Sequence, residues 1–156
     1  MRKQIIAAVI YSVLLGSCGP ASKTGSTTYS AGSPTYSGAM AAKLDNNTFE
    51  LKEISTDGTY GYSENNSVKV GGVKSSEGPL NERRFLNALL GPNGETVSYT
   101  RTGSCCPFKT PNGFSGAGLL DRYEVSYEGL EKPVYIFINM YDFGELMAPR
   151  GFTFKK

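Results

Sequence analysis

The chain of 156 residues has no histidine and no tryptophan, and only three cysteines. Without an imidazole, the Ser-His-Asp and Cys-His arrangements, the histidine zinc sites and the commonest general base near neutral pH are all excluded. Any catalysis would rest on carboxylate, lysine, tyrosine or thiol chemistry. No such residues stand at a recognisable catalytic spacing, so no catalytic residue, metal ligand or cofactor is assigned. Nucleotide fingerprints are missing as well: the pair Gly71-Gly72 leads into neither a GxGxxG nor a GxxxxGK[ST] pattern. Charge of one sign is also scarce. Taking Arg2 and Lys3 from the 16 cations leaves 14, equal to the 14 carboxylates. A chain processed past those two residues is formally neutral, lacking the field that nucleic-acid binding or attraction to anionic lipid requires.

No apolar run reaches the roughly 20 residues of a membrane-spanning helix. The run from Ile5 to Leu15, preceded by Arg2 and Lys3 and followed by small residues, has the length and flanks of an export signal. Leu15-Gly16-Ser17-Cys18 resembles the lipobox of bacterial lipoproteins at all four positions. That resemblance implies cleavage before Cys18 and acylation of its thiol. Several acyl chains anchor stably, at about 0.8 kcal/mol per buried CH2, where one is marginal. Gly19 rather than aspartate follows Cys18, the pattern of lipoproteins sent on to the outer membrane. The expected address is therefore the outer membrane, on its periplasmic face, with the membrane itself as one partner through the lipid.

Three regions follow. Residues 1–17 read as the signal and residues 18–47 as the acylated cysteine with a flexible linker, too poor in large aliphatic residues to offset its ordering entropy. Residues 48–156 read as one domain. In that domain Phe49 and Leu51 alternate with polar neighbours, and Asp57-Gly58 supplies a turn before Tyr60 and Tyr62, which fits a hairpin or two short strands. Val68, Val70 and Gly71-Gly72-Val73 form another strand-like run, with the glycines marking a bulge or a close backbone approach.

Residues 79–90, PLNERRFLNALL, read as a helix with Phe85, Leu86, Leu89 and Leu90 inward and Glu82, Arg83 and Asn87 outward, closed by Gly91 and Pro92. Strands are expected over residues 95–102, with Val97, Tyr99 and Arg101 on one face, and over residues 119–127, with Tyr123, Val125 and Tyr127 inward. Residues 134–141 are apolar on both faces, as in a central strand covered on both sides. Residues 146–154 read as an edge segment because of Pro149. One helix among hairpin-linked strands makes an α+β domain on a mainly antiparallel sheet.

Residues 103–118, GSCCPFKTPNGFSGAG, read as a long connection without regular structure, which favours function over mere linkage. If Cys18 carries lipid, Cys105 and Cys106 have no intramolecular partner but each other. Several readings stay open: small buried hydrophobes or a ring that stiffens the loop, a redox pair with Arg101 and Lys109 stabilising a thiolate, a two-sulfur soft-metal site, or an intermolecular bridge.

The blocks YGYSENNSVKVGG, NERRFLNALLGPNGE, SCCPFKTPNG, GAGLLDRYEVSYEGLEKPVYIFINMY and GELMAPRGF together resemble a family of small, uncharacterised lipoproteins of Bacteroidota. The resemblance implies a lipid-anchored envelope domain. Some members carry the name 2-dehydro-3-deoxyphosphooctonate aldolase, which implies an aldolase. Enzymes of that class resemble TIM barrels of about 250 residues, and none of their catalytic residues can be matched here. The function expected is a non-catalytic binding or structural module of the envelope. It would meet a protein or glycan partner through Arg101, Phe108, Lys109 and Asn112, with thiol-redox work by Cys105 and Cys106 as the alternative.

Overall fold

The computed structural model describes residues 40–156. The expected signal, Cys18 and the expected linker up to residue 39 lie outside the described residues. The fold is α+β. Strand β1 (Lys43–Asp45) pairs antiparallel with β2 (Thr48–Phe49), so the first hairpin begins ahead of Thr48, where the hydrophobic pattern starts. Asp45 closes its turn by accepting the Asn47 amide at 2.7 Å. The free carbonyls of Asn46 and Asn47 accept from Arg84 Nε (2.9 Å) and Asn87 Nδ2 (2.8 Å) on the helix, which ties the hairpin to the core.

The main sheet holds β3 (Val68–Lys69), β5 (Val97–Phe114), β6 (Ala117–Tyr127) and β7 (Val134–Asn139) in the order β3-β7-β6-β5. Only β3–β7 is parallel. A small antiparallel pair, β4 (Leu89–Leu90) with β8 (Thr153–Phe154), lies apart from it. Helix α1 (Gly78–Ala88) opens with Pro79 in its first turn, where the missing N–H costs no helical bond. Its Phe85 and Leu86 share the core cluster with Tyr123, Val125, Ile136 and Ile138. Full burial of each such aliphatic or aromatic side chain contributes about 1.5–3 kcal/mol.

Four expectations need correction. Glu82, assigned outward, has no exposed surface; its carboxyl accepts the Tyr123 hydroxyl from the sheet. The helix stops at Ala88 rather than Leu90, because Leu89 and Leu90 turn extended to pair with β8, and Leu89 is buried by doing so. Gly91 therefore does not take the left-handed cap position. The segment around Tyr60 and Tyr62 is a series of turns with a short 3-10 turn at Glu64–Asn66, not strands. Its geometry is set by Asp57, whose carboxylate accepts from Thr59 N (2.8 Å), Thr59 Oγ1 (2.8 Å) and Asn66 Nδ2 (2.9 Å).

The fourth concerns β7, which is internal but covered on one face only. Ile136 and Ile138 are fully buried while Tyr135 is 45% exposed, its ring lying under the Arg122 guanidinium 4.8 Å from the centroid. The close approach assigned to Gly71-Gly72 is present. A Cβ on Gly71, which has φ 61°, would collide with the Phe143 ring, and Val70 forms a bridge with Phe143.

Candidate functional site: the hairpin arm and the cleft at its tip

Residues 103–118 are not an irregular loop. β5 runs through the cysteines and both prolines to Phe114, turns at Ser115-Gly116 and returns as β6. The prolines and glycines are accommodated by register shifts between Arg101 and Gly103, Cys105 and Pro107, and Lys109 and Phe114. β7 pairs with β6 only from Asp121 to Val125. Beyond Asp121, residues 104–120 form a two-stranded arm with β5 at the sheet edge. A long open edge invites pairing with other chains, and prolines, bulges and lysines suppress it. Pro107, Pro111, Lys109 and the bulges supply all three devices, so pairing with an added strand is disfavoured along the arm.

Two polar clusters and a disulfide between them fix the arm. At its base Arg101 donates to Asp121 through Nε (2.6 Å) and Nη2 (2.8 Å), and Ser104 Oγ donates to Asp121 Oδ1 at 2.7 Å. Burial works against the Asp121 charge, but the hydrogen bonds from Arg101 and Ser104 and the nearby guanidinium outweigh it and hold the carboxyl below its ordinary range. Behind Asp121 lies Glu82, which accepts from the Tyr123 hydroxyl at 2.8 Å. Burial first, and the Asp121 charge second, push Glu82 up to about 8 against the pull of the Tyr123 bond. Glu82 Oε1 has no hydrogen-bond partner. Enclosure beside the Asp121 charge favours the protonated acid.

In the middle of the arm Cys105 and Cys106 are joined as a disulfide. Cys106 has φ 57°, a left-handed conformation that costs a non-glycine residue about 1–2 kcal/mol. Both sulfur-bearing residues are half-buried.

At the tip Asp142, in the turn after β7, collects Thr110 Oγ1 (2.6 Å), Asn112 Nδ2 (2.8 Å) and Asn139 Nδ2 (2.9 Å). Burial opposes this charge too, yet those hydrogen bonds and the Lys69 ammonium hold Asp142 below its ordinary range. Asn139 Oδ1 accepts the amides of Tyr141 (2.8 Å) and Asp142 (3.0 Å), which shapes the turn. The pinned tip closes one side of a cleft of about 260 Å³ lined by Gly72, Lys74, Ser75, Asn112, Tyr141 and Phe143. Phe108 braces its wall edge-on against Tyr141, with ring centroids 5.8 Å apart.

The residues assigned from sequence therefore part company. Asn112 lines the cleft, and Phe108 supports it from behind rather than facing a partner. Lys109 is exposed on the opposite phase of the strand. Arg101 is committed to Asp121, which leaves its guanidinium at the arm base rather than on a thiolate. Cys105 and Cys106 are bonded to each other, so neither presents a thiolate. Cys18 lies outside the described residues. Sequence reasoning missed Glu82, Asp121, Asp142, Lys74 and Tyr141. The only signal, and for Tyr141 and Asp142 alone, was the pair Asn139 and Asp142 at the end of an apolar strand, as in an Asx turn.

Comparison of the chain with protein-family models, curated proteins and solved structures finds no match. Among the described residues no three His, Cys, Asp or Glu side chains are grouped to hold a metal ion, and no helix is long and apolar enough to cross a membrane. Glu82 is fully enclosed, so its raised pKa belongs to a structural proton and not to an acid offered to a substrate. The cleft is the place where apolar ring faces, an amide and an ammonium converge on open space.

Proposed function

We propose that the protein is a lipid-anchored envelope lipoprotein that binds a glycan of the cell envelope without chemistry, held through Cys18 at the periplasmic face of the outer membrane. One observation carries the reading: Asp142 pins Thr110 and Asn112 so that Asn112 stands beside Tyr141, Phe143 and Lys74 around the cleft. Ligand pockets for drug-sized molecules run to about 300–1,000 Å³ and combine apolar walls with a few fixed polar groups. At about 260 Å³ this cleft suits a single ring-sized group such as one sugar of a chain, and not the broad face of a protein. Tyrosine offers such a ligand both a face and a hydroxyl. The address is supported by the lipobox residues Leu15 to Cys18.

The test is retention of envelope extract on the immobilised protein. Protease-treated extract is expected to bind the wild type and to lose most binding on Asn112→Ala with Tyr141→Ala, whereas periodate, which cleaves sugar diols, abolishes it. Retention that survives periodate and disappears with protease would assign a protein partner instead. A second reading, a thiol-redox protein, is favoured by the half-exposed Cys105–Cys106 disulfide. It expects catalysed disulfide exchange on a dithiol substrate, absent in the double serine variant.

A further inference from the structure

The disulfide sits where the arm changes phase. Cys105 lies opposite Leu120 and Pro107 opposite Leu119, so Cys106 is the extra residue of a bulge. Its left-handed φ of 57° is what accommodates that residue. Side chains alternate along a strand, so adding or removing one residue exchanges the faces of everything beyond it. Further along, Thr110 is buried and Asn112 half-buried, both on Asp142, while Lys109 and Pro111 are exposed. The bulge at Cys106 thus decides which of the two sets faces Asp142.

We propose that the Cys105–Cys106 disulfide is a redox latch on the cleft, setting the phase of the arm; this rests on reading the cleft as the binding site. Oxidised, the ring holds Cys106 in the bulge and keeps Thr110 and Asn112 on Asp142. Reduced, Cys106 relaxes to ordinary strand geometry, β5 slips by one residue against β6, and Lys109 replaces Thr110 at Asp142. The cleft then loses Asn112. Asp142 serves both states, as acceptor for neutral donors in one and as partner of an ammonium in the other, which makes the element two-state. The slip has room at the tip, where the register already shifts between Lys109 and Phe114 and Gly116 has φ 78°. Upstream, Arg101 and Ser104 stay bonded to Asp121, so the movement is confined to the outer arm.

The reductant is a dithiol. One of its thiolates attacks one cysteine sulfur, forming a mixed disulfide as the Cys105–Cys106 bond breaks and the other cysteine leaves as a thiolate, and its second thiolate then displaces the attacked cysteine. Two electrons pass to the protein, two protons complete its thiols, and the reductant leaves as a disulfide. The half-exposed position of both cysteines gives it access.

The test follows the full oxidised protein by 15N NMR and amide exchange on addition of dithiothreitol. The Thr110 amide, bonded at 3.1 Å to the Gly116 carbonyl, is expected to exchange at least tenfold faster, and the Asn112 side-chain amide to shift, while Arg101 and Tyr123 hold still. Cys105→Ser with Cys106→Ser should reproduce the reduced spectrum without reductant. Cys105→Ser with Cys106→Gly should keep the oxidised one, because glycine favours the left-handed bulge unaided. Changes confined to residues 104–107, or identical spectra for the two double variants, would overturn the latch. Glycan retention in both redox states separates the two ideas. Retention only when oxidised supports the latch, retention unchanged by a visible slip overturns its control of the cleft, and no retention in either state removes the binding reading while the spectra still decide the slip.

Discussion

Tyr123 on β6 donates its hydroxyl to Glu82 on α1 at 2.8 Å, across the interface between helix and sheet and out of reach of solvent. The pair joins the helix to the strand that carries Asp121, and Asp121 holds Arg101 and Ser104 at the base of the arm.

Stability should therefore fall with rising pH. Glu82 keeps its proton to about 8 in the fold against an ordinary value of 4.5, so the native state binds a proton that the unfolded chain has already lost. Its contribution is full below about pH 4.5, declines as pH rises and levels off above about 8. At about 1.4 kcal/mol per unit the loss amounts to as much as about 5 kcal/mol. Glu82→Gln retains the shape and removes the titrating proton. Thermal melts from pH 5 to pH 9 should show a falling Tm for the wild type and a nearly flat one for the variant, with the variant the more stable at pH 9.

The arm tip should loosen at the acid end. Asp142 is held below its ordinary value of 3.8, so what it contributes is present above that value and lost as pH falls through the lower folded one. Asp142→Ala removes the acceptor of three hydrogen bonds at any pH, each worth about 1.5–3 kcal/mol to a charged group when buried and less at this half-exposed site. Amide exchange across residues 108–118 should rise strongly in the variant while protection of α1 is retained.

Gly71→Ala should destabilise by about 2–4 kcal/mol, since the new Cβ meets the Phe143 ring and the residue sits at φ 61°. Urea unfolding measures this. Gly94→Ala, with φ 92° but open space around it, should cost about 1 kcal/mol from the backbone alone.

The acylation proposed at Cys18 has a direct readout. Intact mass of the purified mature protein should exceed that of the chain from Cys18 onward by a diacylglycerol and any further acyl group. Cys18→Ala should leave the membrane fraction.

Periodicity was informative where burial alone decides structure. Tyr123 and Val125 face the core as their alternation implies, and Phe85 with Leu86 marks the buried stripe of α1. It failed where polar groups carry the packing. Glu82 looks like a solvated helix residue until Tyr123 and Asp121, far off in sequence, are brought against it. The arm was illegible for a related reason: prolines, glycines and paired cysteines signal a loop locally, yet pairing with residues 117–123 and the contacts at Asp142 override those preferences. Asn112 alone of the chosen contact residues reached the cleft, since nothing local reveals that Lys74 and Tyr141 lie across from it.

The most direct measurement is chemical-shift mapping of the 15N-labelled protein titrated with protease-treated envelope glycan. Shifts are expected to cluster on Lys74, Ser75, Asn112, Tyr141 and Phe143. Shifts gathered instead on the separate cleft beside Ala41, Lys52 and Glu145, or none at saturating glycan, would contradict binding at the arm tip.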